Sequence, residues 1–219
     1  MKWIALMLPM TLFASSGVLT QLGTYESVMK GNLAPIETSE NMMKEGDFGF
    51  GALATSDGAV TVYDGTFYKT DLRGGTLPVT KTDELAYLAL TTFKPKRHFD
   101  VGAANIYNQL DQEILPHIDQ KMLPYAVVIT GTFNYLKLSS FLTHEDKKGN
   151  EFRNIKGSLV GFYFPDRLKN LCPNGFNFHF ISQDRKTSGQ VLEVSTAKGI
   201  GAIAPLTTFS VTFSQHEDE

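Results

Sequence analysis

From Tyr125 to the C-terminus the chain reads as strand after strand, and no other feature narrows its fold as far. Ala126 to Thr130, Phe133 to Leu138, Leu159 to Phe164, Phe176 to Ser182 and Gln190 to Ser195 are the clearest strands. Thr207 to Ser214 alternates polar and apolar side chains, as a final strand with one wet face does. The first half is mixed. Leu22, Tyr25, Val28 and Met29 recur at helical spacing, with Gly31 closing that helix. Ile106, Leu110 and Ile114 sit four apart and predict an amphipathic helix that Pro116 ends. Ser56-Asp57-Gly58 and Tyr63-Asp64-Gly65-Thr66-Phe67-Tyr68 read as hairpin turns, because Asp-Gly readily takes the positive φ that tight turns need. No linker, fixed-period repeat or low-complexity tract interrupts the chain. Its 219 residues suit one large domain or two small ones sharing a core. The fold class expected is α/β with mixed sheets.

Several function classes drop out at this level. Twenty basic residues against 23 acidic ones, net charge −3, give no electrostatic footing for nucleic acid. The single cysteine, Cys172, excludes an intramolecular disulfide framework and an all-cysteine zinc site, and no base or paired histidine beside it suggests a nucleophile. Gly46-Asp47-Phe48-Gly49-Phe50-Gly51 is glycine-rich, but Ala59 to Tyr63 continue as a strand rather than a helix, so it is a turn and strand start and not a phosphate cradle. The cluster Lys94-Pro95-Lys96-Arg97-His98 reads as a solvated loop.

The N-terminus reads as an export signal. Lys2 precedes a twelve-residue apolar run, Trp3 to Ala14, and Ala14 and Ser16 supply the small side chains that a signal peptidase accepts. The run falls short of the ~20 residues needed to cross a bilayer. Residues 1–16 are therefore expected to be a signal peptide cleaved near Ser16, which sends the protein to a periplasm or to the medium. A buried N-terminal strand or an uncleaved anchor are the alternatives. No later run has spanning length, so no membrane span is expected in the mature chain.

Four stretches together resemble the alpha-acetolactate decarboxylases. They are Gln21-Leu22-Gly23-Thr24 through Met29-Lys30-Gly31; Gly46 to Gly51 with Asp57-Gly58, Asp64-Gly65 and Phe67-Tyr68; Tyr125-Ala126-Val127-Val128-Ile129 into Gly131-Thr132-Phe133; and Val160-Gly161-Phe162 followed by Gly175-Phe176-Asn177-Phe178-His179-Phe180-Ile181, Asp184-Arg185 and Gly189-Gln190-Val191-Leu192. Their order and spacing match over nearly the whole mature chain. The resemblance implies a fold of two intimately packed subdomains, here an N-terminal mixed α/β part at 17–124 and a C-terminal β-rich part at 125–219. It also implies a homodimeric lyase that converts acetolactate to acetoin and carbon dioxide, with a zinc ion as the Lewis acid.

The residues of that chemistry are not carried over with the fold. The family holds zinc with three histidines, two of them in a His-x-His strand motif whose spacing puts both imidazoles on one face. This chain has Asn177 and His179 there, and Gln190 at the third position. Neutral amide oxygens suit harder cations than zinc. Ala59 stands where the family carries an acid after the Asp-Gly turn, and Ser139 where it carries an arginine. Lys137 is a nearby cation without arginine's planar fork. Glu217 and Glu219 lie in a polar tail expected to fray. Asp184-Arg185 is expected to form an ion pair or a turn beside the pocket. His98, His117, His144 and His216 sit on expected loops or ends; a replacement metal site would join His179 to His144 or Glu145.

The expected ligand pocket is thus Ala59, Ser139, Asn177, His179 and Gln190, with His179 as the one metal-ligand candidate and no residue assigned as catalytic. No cofactor is expected, and zinc only if other residues rebuild the site. Three functions remain open: a degenerate homologue that binds a small oxygen-rich ligand, an active decarboxylase with a rearranged metal site, and a secreted interaction protein with a vestigial pocket.

Overall fold

Alternation and burial together explain the element order. A computed structural model describes residues 17–54, 58–141 and 149–214. The expected signal segment, the Ser56-Asp57 half of the first hairpin turn, His144, Glu145, His216, Glu217 and Glu219 lie outside the described residues. In chain order the elements are β1 (Val18–Leu22), α1 (Tyr25–Met29), β2 (Glu37–Thr38), α2 (Ser39–Met42), β3 (Phe48–Leu53), β4 (Ala59–Tyr63), β5 (Thr66–Thr70), β6 (Thr76–Pro78), β7 (Glu84–Thr91), β8 (Arg97–Val101), α3 (Tyr107–Ile114), β9 (Tyr125–Ser139), β10 (Asn150–Phe164), β11 (Gly175–Ser182), β12 (Ser188–Pro205) and β13 (Thr208–Thr212).

The strands form two sheets. The first has the order β13-β1-β7-β3-β4-β5-β6, with β2 added alongside β7; β13 runs parallel to β1 and the other pairs are antiparallel. The second runs β11-β10-β9-β12-β8, and β11 also pairs with β12, so β9 to β12 close on themselves. Closure removes edges that would otherwise invite strand addition. Sheet membership crosses residue 125 in both directions: β8 precedes it yet joins the second sheet, and β13 follows it yet joins the first. The mixed fold expected is present, weighted towards strands.

Three apolar clusters hold this together. Phe133, Leu136, Leu138, Phe178, Phe180, Val191 and Ile203 fill the inside of the closed set, where Leu110 and Ile114 of α3 join them. Phe48, Phe50, Tyr87 and Ala89 of the first sheet pack against Val128, Val160, Phe162 and Ile181 of the second. Val60, Val62, Leu85, Leu88 and Leu90 face the other way with Phe67 and Met42. The first sheet is therefore covered on both faces, which is why all six residues of β3 are buried. Its glycines allow close approach: a Cβ on Gly49 would strike the Ala89 carbonyl, and one on Gly51 the Tyr87 carbonyl.

Some expectations shift. Leu22 ends β1, and the short helix begins only after Thr24, whose hydroxyl accepts from the Ser27 N–H as an N-cap. The two strands expected either side of Gly131 are one 15-residue strand, β9, bulged against β12. Pro116 does not stop the helix dead; it sits in a 3₁₀ turn, Leu115–His117, appended to α3. Arg97 and His98 open β8 rather than completing a loop, although both side chains stay exposed and Arg97 pairs with Asp119 at 2.7 Å. The Asp64-Gly65 hairpin is as expected, with both residues at positive φ (51° and 72°) between β4 and β5.

Candidate functional site

Strand alternation on β11 builds the site. Phe176, Phe178 and Phe180 point into the closed strands, so Asn177, His179 and Ile181 face the first sheet. Cross-strand pairing then sets Gln190 of β12 directly beside His179, and Ser139 of β9 directly beside Gln190. The Ala59 N–H donates to the Ser140 carbonyl at 2.8 Å, which ties the start of β4 to the end of this row. Four of the five expected pocket residues are thereby brought together. Asn177 lies two residues along the same face but pairs with Phe162 of β10.

His179 is sealed between the sheets, 1% exposed. Its ring stacks on Phe50 with centroids 4.8 Å apart and 14° between planes. Nδ1 lies 3.1 Å from Thr61 Oγ1, while the buried Nε2 has no partner among the described residues. Desolvation drives its pKa down to about 3, against a small opposing effect of the Val60 backbone, so the ring is neutral at ordinary pH. In the tautomer whose Nδ1–H donates to Thr61, the Nε2 lone pair is unused, which is the posture of a metal-bound imidazole whose other nitrogen a neighbouring acceptor fixes; in the other tautomer Thr61 donates to Nδ1 and Nε2 carries the proton. Sequence reasoning missed Thr61 and Phe50. The one hydroxyl in the buried run Ala59-Val60-Thr61-Val62 was the available signal for the first.

The rest of the donor set does not fit zinc. The Asn177 Nδ2 is turned towards the carbonyls of Pro173, Asn174 and Gly175, at 3.3, 3.1 and 3.4 Å. Gln190 offers a half-buried amide. Among the described residues no three His, Cys, Asp or Glu side chains come together in a way that could hold a metal. Of the two positions where the resemblance implies an acid and an arginine, Ala59 is a fully buried methyl group, and Ser139 accepts from the Phe141 N–H at 3.1 Å. Lys137 is no stand-in for the arginine, because its ammonium pairs with Glu193 at 3.2 Å.

The other singled-out residues are elsewhere. His98 is exposed, and His117 stacks on Phe99 of β8 at 4.0 Å. Cys172 donates to Gln21 Oε1 at 3.1 Å, and burial raises its thiol to about 12, so it stays an inert thiol. Asp184 closes a turn by accepting from Ser182 Oγ and the Lys186 N–H, while Arg185 pairs with Asp64 at 3.0 Å rather than with its neighbour.

The known proteins that match most of the chain agree with one another. The sequence model for alpha-acetolactate decarboxylase matches residues 19–218. The alpha-acetolactate decarboxylase of Brevibacillus brevis is 30% identical over 94% of this chain and 76% of the relative. That of Methanosarcina mazei is 27% identical over 86% of this chain and 69% of the relative. Among solved structures, the alpha-acetolactate decarboxylase of Bacillus subtilis strain 168 superposes with a TM-score of 0.83 at 23% identity, covering 92% of this chain and 91% of that one. A Staphylococcus aureus protein of unknown function, described as similar to alpha-acetolactate decarboxylase, superposes with 0.81 at 24% identity, covering 90% and 89%.

Proposed function

The chain belongs to the alpha-acetolactate decarboxylase family, and from that premise we propose that it is a member without zinc-dependent decarboxylation that binds a small oxygen-rich ligand. One observation carries the reading: of the three positions that would each need an imidazole, Asn177 and Gln190 present amides, and His179 is left alone with an unpartnered Nε2. A lone neutral imidazole and two amides cannot match three imidazoles for a borderline-soft cation. The neighbouring losses point the same way. No acid stands at Ala59 to handle a proton and no guanidinium at Ser139 to take a carboxylate, and each such charge is worth about 2–4 kcal/mol in a transition state.

Amides and a hydroxyl suit a different task. Asn177, Gln190 and Ser139 can donate to and accept from hydroxyl and carbonyl oxygens without a charge change. The leader-like residues 1–16 and the family resemblance support an exported homodimer. A second reading, decarboxylation through a rebuilt metal site, draws on the liganding posture of His179 and on relatives named for that activity.

The test combines metal content with ligand titration. After dialysis against zinc and then against buffer, the chain should retain far less than one zinc per chain. In the same state 2,3-butanediol or 2-hydroxy-2-methylbutanoate should raise its Tm, and Asn177→Ala together with Gln190→Ala should abolish that shift. Stoichiometric zinc would overturn the metal-free reading, and an unchanged Tm with both compounds the ligand-binding one.

A further inference from the structure

A cleft of about 350 Å³ is lined by Tyr63 of the first sheet, by Thr130, Lys156 and Ser158 of the second, and by Gln183 and Arg185 of the turn between β11 and β12. It shares no residue with the Asn177–His179–Gln190 row. Its size falls within the ~300–1,000 Å³ of small-molecule pockets.

Arg185 is held rigidly for an exposed-side arginine. It sits at φ 60° in a turn that Ser182 Oγ closes by accepting from the Lys186 and Thr187 N–H groups. Its guanidinium lies 4.6 Å over the Tyr63 ring, and Nη2 donates to Asp64 Oδ2 at 3.0 Å. A stacked, singly paired guanidinium keeps most of its five donors and has already lost the side-chain entropy that binding would otherwise cost. Lys156 adds a second cation with no ion pair among the described residues, and its carbonyl accepts from the Gln183 N–H at 2.9 Å, bracing the two elements. Lys198 lies across from it on the far side of Thr132 and adds to the positive field.

The hydroxyls are ordered as a chain. Ser158 Oγ donates to Tyr63 Oη at 3.3 Å, and because it has one proton, Thr130 Oγ1 must donate to Ser158 at 2.8 Å. Tyr63 is left with its O–H proton for a ligand. Lys156, Arg185 and Tyr63 all present donors, no carboxylate is among the residues that line the cleft, and Asp64, next to Tyr63, is matched by Arg185.

We propose that this cleft binds a sugar-sized hydroxylated anion, with the anionic group between Lys156 and Arg185 and the hydroxyls along Tyr63, Ser158 and Thr130. The same site chemistry takes a carboxylate or a phosphate. The inference stands apart from the ligand and zinc readings above, since none of their residues lines the cleft.

The test is calorimetric titration of the whole protein with gluconate, glucose 6-phosphate, glucose and inorganic phosphate. At least one sugar anion should bind, glucose should not, and raised salt should weaken the binding. Lys156→Gln, at an exposed side chain whose loss leaves the fold intact, should weaken it about tenfold, and Arg185→Gln by more. Asn177→Ala should leave it unchanged, which separates failure here from failure at the His179 row. Which anion binds identifies the source. Binding of neither sugar anion, or binding indifferent to both cation substitutions, would overturn the site. Inorganic phosphate binding as tightly as the sugar phosphate would overturn the hydroxyl assignment.

Discussion

At residue scale the decisive contrast is between a histidine that is kept and the partners it lacks. Asn177 and Gln190 could be proposed as changed ligand positions because the stretches around them resemble the family's. The environment of His179 was not legible, because its partners Phe50 and Thr61 come from a different sheet. Restoring imidazoles with Asn177→His and Gln190→His should raise zinc affinity by on the order of a hundredfold or more, read by competition with a chromophoric chelator. His179 also gives the stability a pH slope. The unfolded chain protonates it near pH 6.5, whereas the folded chain holds off until about 3, so stability is lost as pH falls through that window. Between pH 7 and 5 the loss from this group is about 2 kcal/mol. Measured by urea denaturation, the native chain should lose about 2 kcal/mol more between the two pH values than His179→Phe, which keeps the stacking on Phe50.

At element scale, periodicity located the elements better than it bounded them. The amphipathic helix at Ile106 to Ile114 was readable because one stripe of it joins the core. The second half of β12 and the first half of β10 were not readable, since outer-face residues such as Lys156, Lys198 and Glu151 break the apolar pattern where the strands run beyond the first sheet. Strand β7 went unnoticed because it is buried on both faces and its apolar run lacks alternation. Two measurements probe these elements. On α3, burial raises the Asp111 carboxyl to about 6, and Oδ1 has no partner among the described residues. A folded pKa above the unfolded one stabilises at low pH and is lost as pH rises through about 6. Asp111→Asn should therefore raise stability at pH 7 by about 1 kcal/mol, allowing for solvent screening of this half-buried group, and by almost nothing at pH 4. In β3, Gly51→Ala would push a methyl group into the Tyr87 carbonyl and should cost at least about 2 kcal/mol by chemical denaturation.

At the scale of the whole molecule, scaffold and chemistry separate. The strand succession and its glycine turns preserve a superposable fold at 23–24% identity to the solved structures, because burial and close backbone approach constrain classes of residue rather than identities. Catalysis constrains identities, and on the proposed reading two of the three ligand positions, the acid position and the arginine position have changed while His179 stays. The most direct measurement is acetoin formation from acetolactate by the purified protein, first with zinc added and then with a chelator. The account predicts a rate no greater than spontaneous decarboxylation in both conditions. Chelator-sensitive turnover well above that background would contradict it and would mean that His179 has found other partners for a metal.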